Sequence, residues 1–555
     1  MHRCIRFPRF HSGLSRSRLG LPLAAVMALS PACGSDDEGF FEGGGDNGSG
    51  NGVAGGNGAG APDSGAIDGI RAPADPDEPR DPDVVPGEVV IHPFVRTEHD
   101  PFSTFAADVD SASYDIFVKS VTELNRLPEP RMVRSEEFVN FFRYEYPAVP
   151  EESEDPFAID LDLGPTPSAE TVLLRIGVQG RSLPADRAPA NLVFLMDVSG
   201  SMSAADKLPV AQEMLRNGLD VLRPDDKISL VVYAGRTAVV LEPTPVSEAD
   251  SIRAAITELR AGGGTAGADG LELAYDQAET GYVEGGINHI VLCTDGDFNI
   301  GPHTTAELLE IVESRRERGV TFTALGFGLG NLNDSMMESI SNAGNGIYRV
   351  ISGPQTALRY VEHRLLSDVV QIAKDVKLQV EFNPDHVFAY RQVGYENRQL
   401  ADEDFRDDLV DAGEIGSGHQ MTALYELALT ESAVPAAVGA PAMTDGEPVE
   451  GEREVSPSEL VMVKLRYKAP GAAPSDPAKE LRRGLPATAP ASSLGAETRF
   501  AWAAATLASR LRVDPFQTES RLREAGAILE GFAQSGPGER AELHTLFKIA
   551  QVLIP

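Results

Sequence analysis

The chain has 555 residues, 42 % of them hydrophobic, and a formal net charge of −36. That length calls for two to four domains with ordinary cores, and the acidity argues against non-specific binding to DNA, RNA or an anionic membrane surface. Of three cysteines, Cys4 and Cys33 fall in a targeting segment and Cys293 sits in the buried-strand pattern HIVLCTDGD, so no disulfide framework is expected.

Residues 1–33 read as an export signal. MHRCIRFPRFHSGLSRSRLG carries Arg3, Arg6, Arg9, Arg16 and Arg18 and no acid, and LPLAAVMALSPAC follows as an apolar stretch too short to span a bilayer. The ending LSPAC before GSDD resembles a bacterial lipoprotein signal, which makes Cys33 the lipidated residue; an ordinary cleaved signal is the alternative. Ala32 fits the small position before the cysteine, whereas Ser30 departs from the usual leucine. Residues 34–88, rich in Gly, Asp, Asn, Ser and Pro, cannot bury enough apolar surface to offset their ordering entropy and read as a flexible tether. No later segment is apolar and long enough to span a membrane. The expected address is the cell envelope, with a lipid anchor as the only membrane attachment, in the outer membrane if the organism has one.

Residues 89–150 read as a helical flank. DSASYDIFVKSVTELNRLP puts Tyr114, Phe117, Val121 and Leu124 at helical spacing, and RSEEFVNFFRYEYP repeats the design, with Ser135 as N-cap and Phe138, Val139 and Phe142 on one face. Residues 151–190 hold the strands AIDLDLG and TVLLRIGVQG. From 191 to 368 the pattern alternates. NLVFLMD, KISLVVYAG, TAVVLEP, NHIVLCTD, GVTFTALGFG and GIYRVIS are apolar almost throughout, as strands covered on both faces should be. Helical patterns separate most of them, the first with Leu208, Ala211, Leu215, Leu219 and Leu222 as one stripe. The fold class is therefore α/β, a doubly wound, mostly parallel sheet. Strand patterns return over 369–470; with 151–190 they can form one β-sandwich into which the α/β domain is inserted. Residues 471–496 read as a loop, and 497–555 as a helical region with two helices, ETRFAWAAATLASRLRV and RAELHTLFKIAQVLI.

The first strand of the alternating region ends in DVSGS. In a doubly wound sheet ligands bind at the carboxyl ends of strands, and Asp197, Ser199 and Ser201 sit at such an end. RAGGGTAGADG offers Thr265 before a helix, and VLCTDGD offers Asp295 after another apolar strand. This all-oxygen set, without His or Cys, suits a hard cation such as Mg²⁺, which keeps waters in its shell. Asp-x-Ser-x-Ser alone arises by chance about once in several thousand positions; in this architecture, with the Thr and Asp loops following, it is specific.

Together these motifs resemble the von Willebrand factor type A domain with its metal-ion-dependent adhesion site. The resemblance assigns Asp197, Ser199 and Ser201 to the first loop, Thr265 to the second and Asp295 to the third. It implies Mg²⁺, or Mn²⁺ or Ca²⁺, and a protein partner whose carboxylate takes an open coordination position. STFAADVDSASY, VRSEEFVNFFRYEYP and the segment from QVGYENRQL to TALYEL also resemble the flanks of a bacterial lipoprotein family built on this domain.

The resulting expectation is an envelope-tethered, metal-dependent binding module rather than an enzyme, with no nucleic-acid partner. Two alternatives stay open: a Mg²⁺-dependent hydrolase, with Asp297 as the nearest general base, and a structural envelope protein. DVDSAS, with Asp108 and Asp110, departs from the phosphatase motif it partly matches, and helix capping is the expected role of its acids. DVSGS lacks the first glycine of a nucleophile elbow, no phosphate-binding loop occurs, and His303, His386 and His419 form no metal or triad spacing.

Overall fold

The computed structural model describes residues 89–182, 187–263, 267–296, 305–316, 318–328, 333–446, 453–473, 475–488 and 492–554. The export signal, Cys33 and the tether lie outside the described residues.

The apolar runs of the alternating region form one six-stranded sheet. Its spatial order is Tyr348–Ile351, Thr321–Phe327, Ile287–Thr294, Ala190–Asp197, Lys227–Tyr233 and Thr237–Pro245. All neighbours are parallel except the last pair, an antiparallel hairpin. Successive side chains point to opposite faces. Leu192, Phe194 and Met196 therefore enter one core, with helices Leu208–Gly218 and Pro354–His363. Val193 and Leu195 enter a second core with helices Gly267–Thr280 and Asp334–Ala343. Each such side chain contributes roughly 1.5–3 kcal/mol when fully buried. The order of connection reverses beside Ala190–Asp197, so the carboxyl ends of this strand and of Ile287–Thr294 border a crevice.

The sandwich forms as the strand order allowed. One sheet runs Met443–Thr444, Phe94–Arg96, Ala389–Val393, Gln420–Ala428, Val172–Gly180, Phe157–Pro165. The other runs Gly413–Gly416, Gln371–Phe382, Glu459–Lys468, Lys479–Pro486, with Phe102–Ala106 also paired to Gln371–Phe382. Ile176, Val178, Leu378, Val380, Tyr425 and Val463 fill the space between them. The α/β domain leaves after Val172–Gly180 and returns directly into Gln371–Phe382.

Four expectations are corrected. The loop read over 471–496 contains the strand Lys479–Pro486, an edge strand of mostly exposed or half-exposed residues that carries no apolar alternation to read. The helical flank over 89–150 also contributes the strands Phe94–Arg96 and Phe102–Ala106, one to each sandwich sheet. Ser135 is the first residue of its helix and not the N-cap, which is Arg134. A further helix, Glu519–Gln534, stands between the two expected at the C-terminus, and the three pack with Tyr114, Phe117, Phe138 and Phe142 in one core.

Charged groups stitch the flank and sandwich to the α/β domain. Arg349, at the end of the sheet, makes a bidentate pair with Asp368 at 2.5 and 2.8 Å and donates to Ser111 Oγ at 2.7 Å. His419 accepts from Gly416 N at Nδ1, which leaves Nε2 to donate to Asp368 Oδ1 at 3.0 Å. Arg349, Asp368 and His419 are almost wholly buried. Such a pair is held by geometry, since removing one partner strands a buried charge at a cost of about 3–5 kcal/mol.

Asp115, in the helix Ala112–Thr122, is buried and its Oδ1 lacks a hydrogen-bond partner. Burial pushes its carboxyl up to about 7, against the pull of Arg359, Arg349 and Arg364. The folded state thus keeps this proton up to about pH 7, while the unfolded chain loses it near pH 4. The stability tied to it is present at low pH and lost as pH rises to 7, a difference of roughly 4 kcal/mol. Asp115→Asn is expected to match the parent near pH 4 and exceed it at pH 8 in urea unfolding; an equal offset at both pH values would refute the shift.

Candidate metal centre

The strand Ala190–Asp197 is buried along its whole length and delivers Asp197 to the crevice. Parallel pairing sets Asp197 opposite Tyr233. A single 3-10 turn, Gly200–Ser203, follows at once. Ser199 occupies the N-cap position of that turn, yet its side chain makes no capping bond. Its hydroxyl lies 2.9 Å from that of Ser201, in a hydrogen bond. Capping is thus not the role of these hydroxyls; they face each other beside the Asp197 carboxylate, which accepts from Ser199 N at 2.8 Å.

The third loop closes on the same carboxylate. Thr294, the last residue of Ile287–Thr294, donates from Oγ1 to Asp197 Oδ2 at 3.0 Å and accepts from Gly296 N at 3.2 Å. Asp295 follows, fully buried. Burial raises the Asp197 carboxyl above the usual range; the Ser199 hydrogen bonds oppose this and the neighbouring Asp295 charge adds to it. The second loop is laid against the first by Gly262 N donating to Val198 O at 2.8 Å and Gly200 N donating to Gly263 O at 3.2 Å. Gly263 has φ +92°, a left-handed conformation that glycine adopts without strain. Thr265, the ligand expected from this loop, lies outside the described residues, as do Asp297 and His303.

Lys207 completes the site and was not among the residues expected. Its ammonium lies 2.7 Å from Asp295 Oδ2, and its stem passes over Gly328, where a Cβ would meet its Cε at 2.8 Å. It occupies the N-cap position of helix Leu208–Gly218, the end where the helix macrodipole disfavours a cation. A lysine just ahead of a helix, ten residues after Asp197, was the available signal. Thr294, the first polar residue after VLC, was equally legible. Asp197, Ser199, Ser201 and Asp295 are therefore brought to one end of two adjacent strands. Two buried carboxylates there draw a cationic group, and the donor set is all oxygen, so the residues fit a hard divalent ion. Asp206, beside Lys207, pairs with Lys119 of the N-terminal flank at 2.5 Å.

Other candidates have structural roles. Asp108 and Asp110 do not cap the helix Ala112–Thr122, which has Ser111 at its N-cap. Asp108 accepts from Asp110 N at 2.8 Å, Asp110 accepts from Tyr348 N at 3.1 Å, and both pair with Arg398. His386 bonds the Pro457 carbonyl. Cys293 is a buried core residue whose thiol is pushed up by burial.

Family models and a sequence relative agree with this architecture. A family model described as von Willebrand factor type A domain matches residues 191–359, one described as von Willebrand factor matches 87–175, and one described as the C-terminal part of the uncharacterized protein YfbK matches 367–553. YfbK of Escherichia coli (strain K12) is 36 % identical over 475 residues, covering 83 % of this chain and 80 % of the relative. The uncharacterized protein sll0103 of Synechocystis is 33 % identical over 186 residues, covering 33 % of this chain and 43 % of its own. A solved von Willebrand factor type A structure from Catenulispora acidiphila, 17 % identical, aligns with 70 % of this chain and 89 % of its own at a TM-score of 0.39. The chain belongs to the family of YfbK, proteins in which a von Willebrand factor type A domain is joined to a YfbK-type C-terminal region.

Proposed function

We propose that this protein is an envelope-tethered binding module that grips an acidic side chain of a protein partner through a divalent metal held by Asp197, Ser199, Ser201, Thr265 and Asp295. The observation that carries the reading is the convergence of Asp197, Ser199, Ser201 and Asp295 at the carboxyl ends of two adjacent parallel strands. Mg²⁺ suits the set best, since two carboxylates and neutral hydroxyls leave room for waters. When bound, the ion supplies an electrophilic position that a partner's carboxylate can occupy. The chain's own groups prepare that position. Ser199 N and Thr294 Oγ1 orient the Asp197 carboxylate, and Lys207 holds Asp295. The tether at 34–88 and lipidation of Cys33 belong to the same proposal, as they would display this face away from a membrane.

A pull-down from envelope extract with Mg²⁺ present is expected to capture a partner that EDTA or Asp197→Ala releases. Capture indifferent to both would sink the reading, and metal-dependent ester or phosphoester turnover lost in the same variant would replace it with a hydrolase. Lys207→Met is expected to destabilise the protein by about 3 kcal/mol in EDTA and by much less in excess Mg²⁺, read by urea unfolding; the same loss in both media would separate Lys207 from the metal. Cys33→Ser is expected to move the full chain from the membrane to the soluble fraction on cell fractionation, and unchanged partition would exclude the lipid anchor.

A further inference from the structure

A second cluster of carboxylates, in the sandwich and distinct from the crevice, has the features of a built site. The strand Gln371–Phe382 loses register with both its neighbours between Ala373 and Lys377. At this bulge Asp375 takes φ +52°, a left-handed conformation uncommon for a residue with a Cβ. A bulge re-aims the side chain it carries. Opposite it runs Gly413–Gly416, which presents Glu414, and Asp411 enters from the segment just before. One oxygen from each of Asp375, Asp411 and Glu414 lies within 4.8 Å of the other two.

Proximity of acids alone does not make a site. The independent observation is Glu414 itself, which is 8 % exposed and whose Oε1 has no hydrogen-bond partner. A buried carboxylate oxygen left without a donor carries its full desolvation penalty. Two cations reach the cluster from its sides. Lys468 Nζ lies 3.0 Å from Asp375 Oδ2, and Arg316 Nη1 lies 2.6 Å from Asp411 Oδ2. Lys377 acts on Asp375 and Arg398 on Glu414 through space as well, yet no donor reaches Glu414 Oε1. Oxygens bound to one ion at 2.3–2.6 Å stand at most about 5 Å apart, a limit the three oxygens here meet.

We infer that Asp375, Asp411 and Glu414 form a second cation site, for Ca²⁺, at the bulge of the sandwich sheet. Calcium fits better than magnesium because its shell is large and adaptable. Asp411 is half exposed, so water can complete that shell on the outer side. A cation there would tie the bulged strand to Gly413–Gly416 and to the segment before it.

The full chain carrying Asp197→Ala isolates this site from the crevice, so failure here and failure of the proposed adhesion site are told apart. Calorimetric titration of that protein with CaCl₂ is expected to show one ion per chain. Adding Glu414→Gln or Asp411→Asn is expected to weaken binding at least tenfold, and Ca²⁺ is expected to raise the Tm of the Asp197→Ala protein and of neither double variant. If Glu414→Gln does not fold, Asp411→Asn at its half-exposed position carries the test. No binding by the Asp197→Ala protein, or binding unchanged by Asp411→Asn, would overturn the site. Equal affinity for Mg²⁺ would overturn its assignment to calcium.

Discussion

The crevice depends on one costly feature, a carboxylate with no exposed surface at the end of a strand with no exposed residue. Asp197 can remain there only because its surroundings supply donors and positive charge. Ser199 N and Thr294 Oγ1 bind its two oxygens, and Lys207 neutralises part of the charge added by Asp295. Desolvation raises the energy of the ionised form, and each of these contacts lowers it. A cluster built this way has the chemistry of a cation site, because the cost of burying the carboxylates has already been met by folding.

That arrangement draws on more than the α/β domain. The N-terminal segment gives a strand to each sandwich sheet, then crosses to the α/β domain. There Asp110 meets the backbone of Tyr348, and Ala112 and Ile116 enter the core beneath the sheet. Lys119 on the same helix reaches Asp206, next to Lys207. Arg134 pairs with Asp334 and contacts Glu338, which shares Arg398 with Asp110. Arg349, Asp368 and His419 then join the last strand of the α/β sheet to the sandwich. The inserted domain is thus braced at several points, and the loop that carries Lys207 is held by the flank as well as by its own sheet.

Legibility followed the burial of each segment. Ala190–Asp197, Lys227–Tyr233 and Ile287–Thr294 were readable because strands covered on both faces are apolar throughout. Lys479–Pro486 was hidden because an edge strand needs no apolar face. Phe94–Arg96 was too short for any period to show. Asp108 and Asp110 have the composition of a helix cap, and only the approach of Arg398, nearly three hundred residues later, gives them a different task.

The order of apolar runs and the chemistry of their ends determined by themselves the doubly wound sheet and the candidacy of Asp197, Ser199, Ser201, Thr265 and Asp295. These are local properties: a strand must hide its side chains, and an oxygen donor set selects hard cations wherever it occurs. Tertiary structure decided which distant groups share one small volume. It brought Lys207 to Asp295, Arg349 to Asp368 and His419, and Glu414 to the bulge at Asp375. Electrostatic energy depends on separation in space and on the exclusion of water, and neither is written in the spacing along the chain.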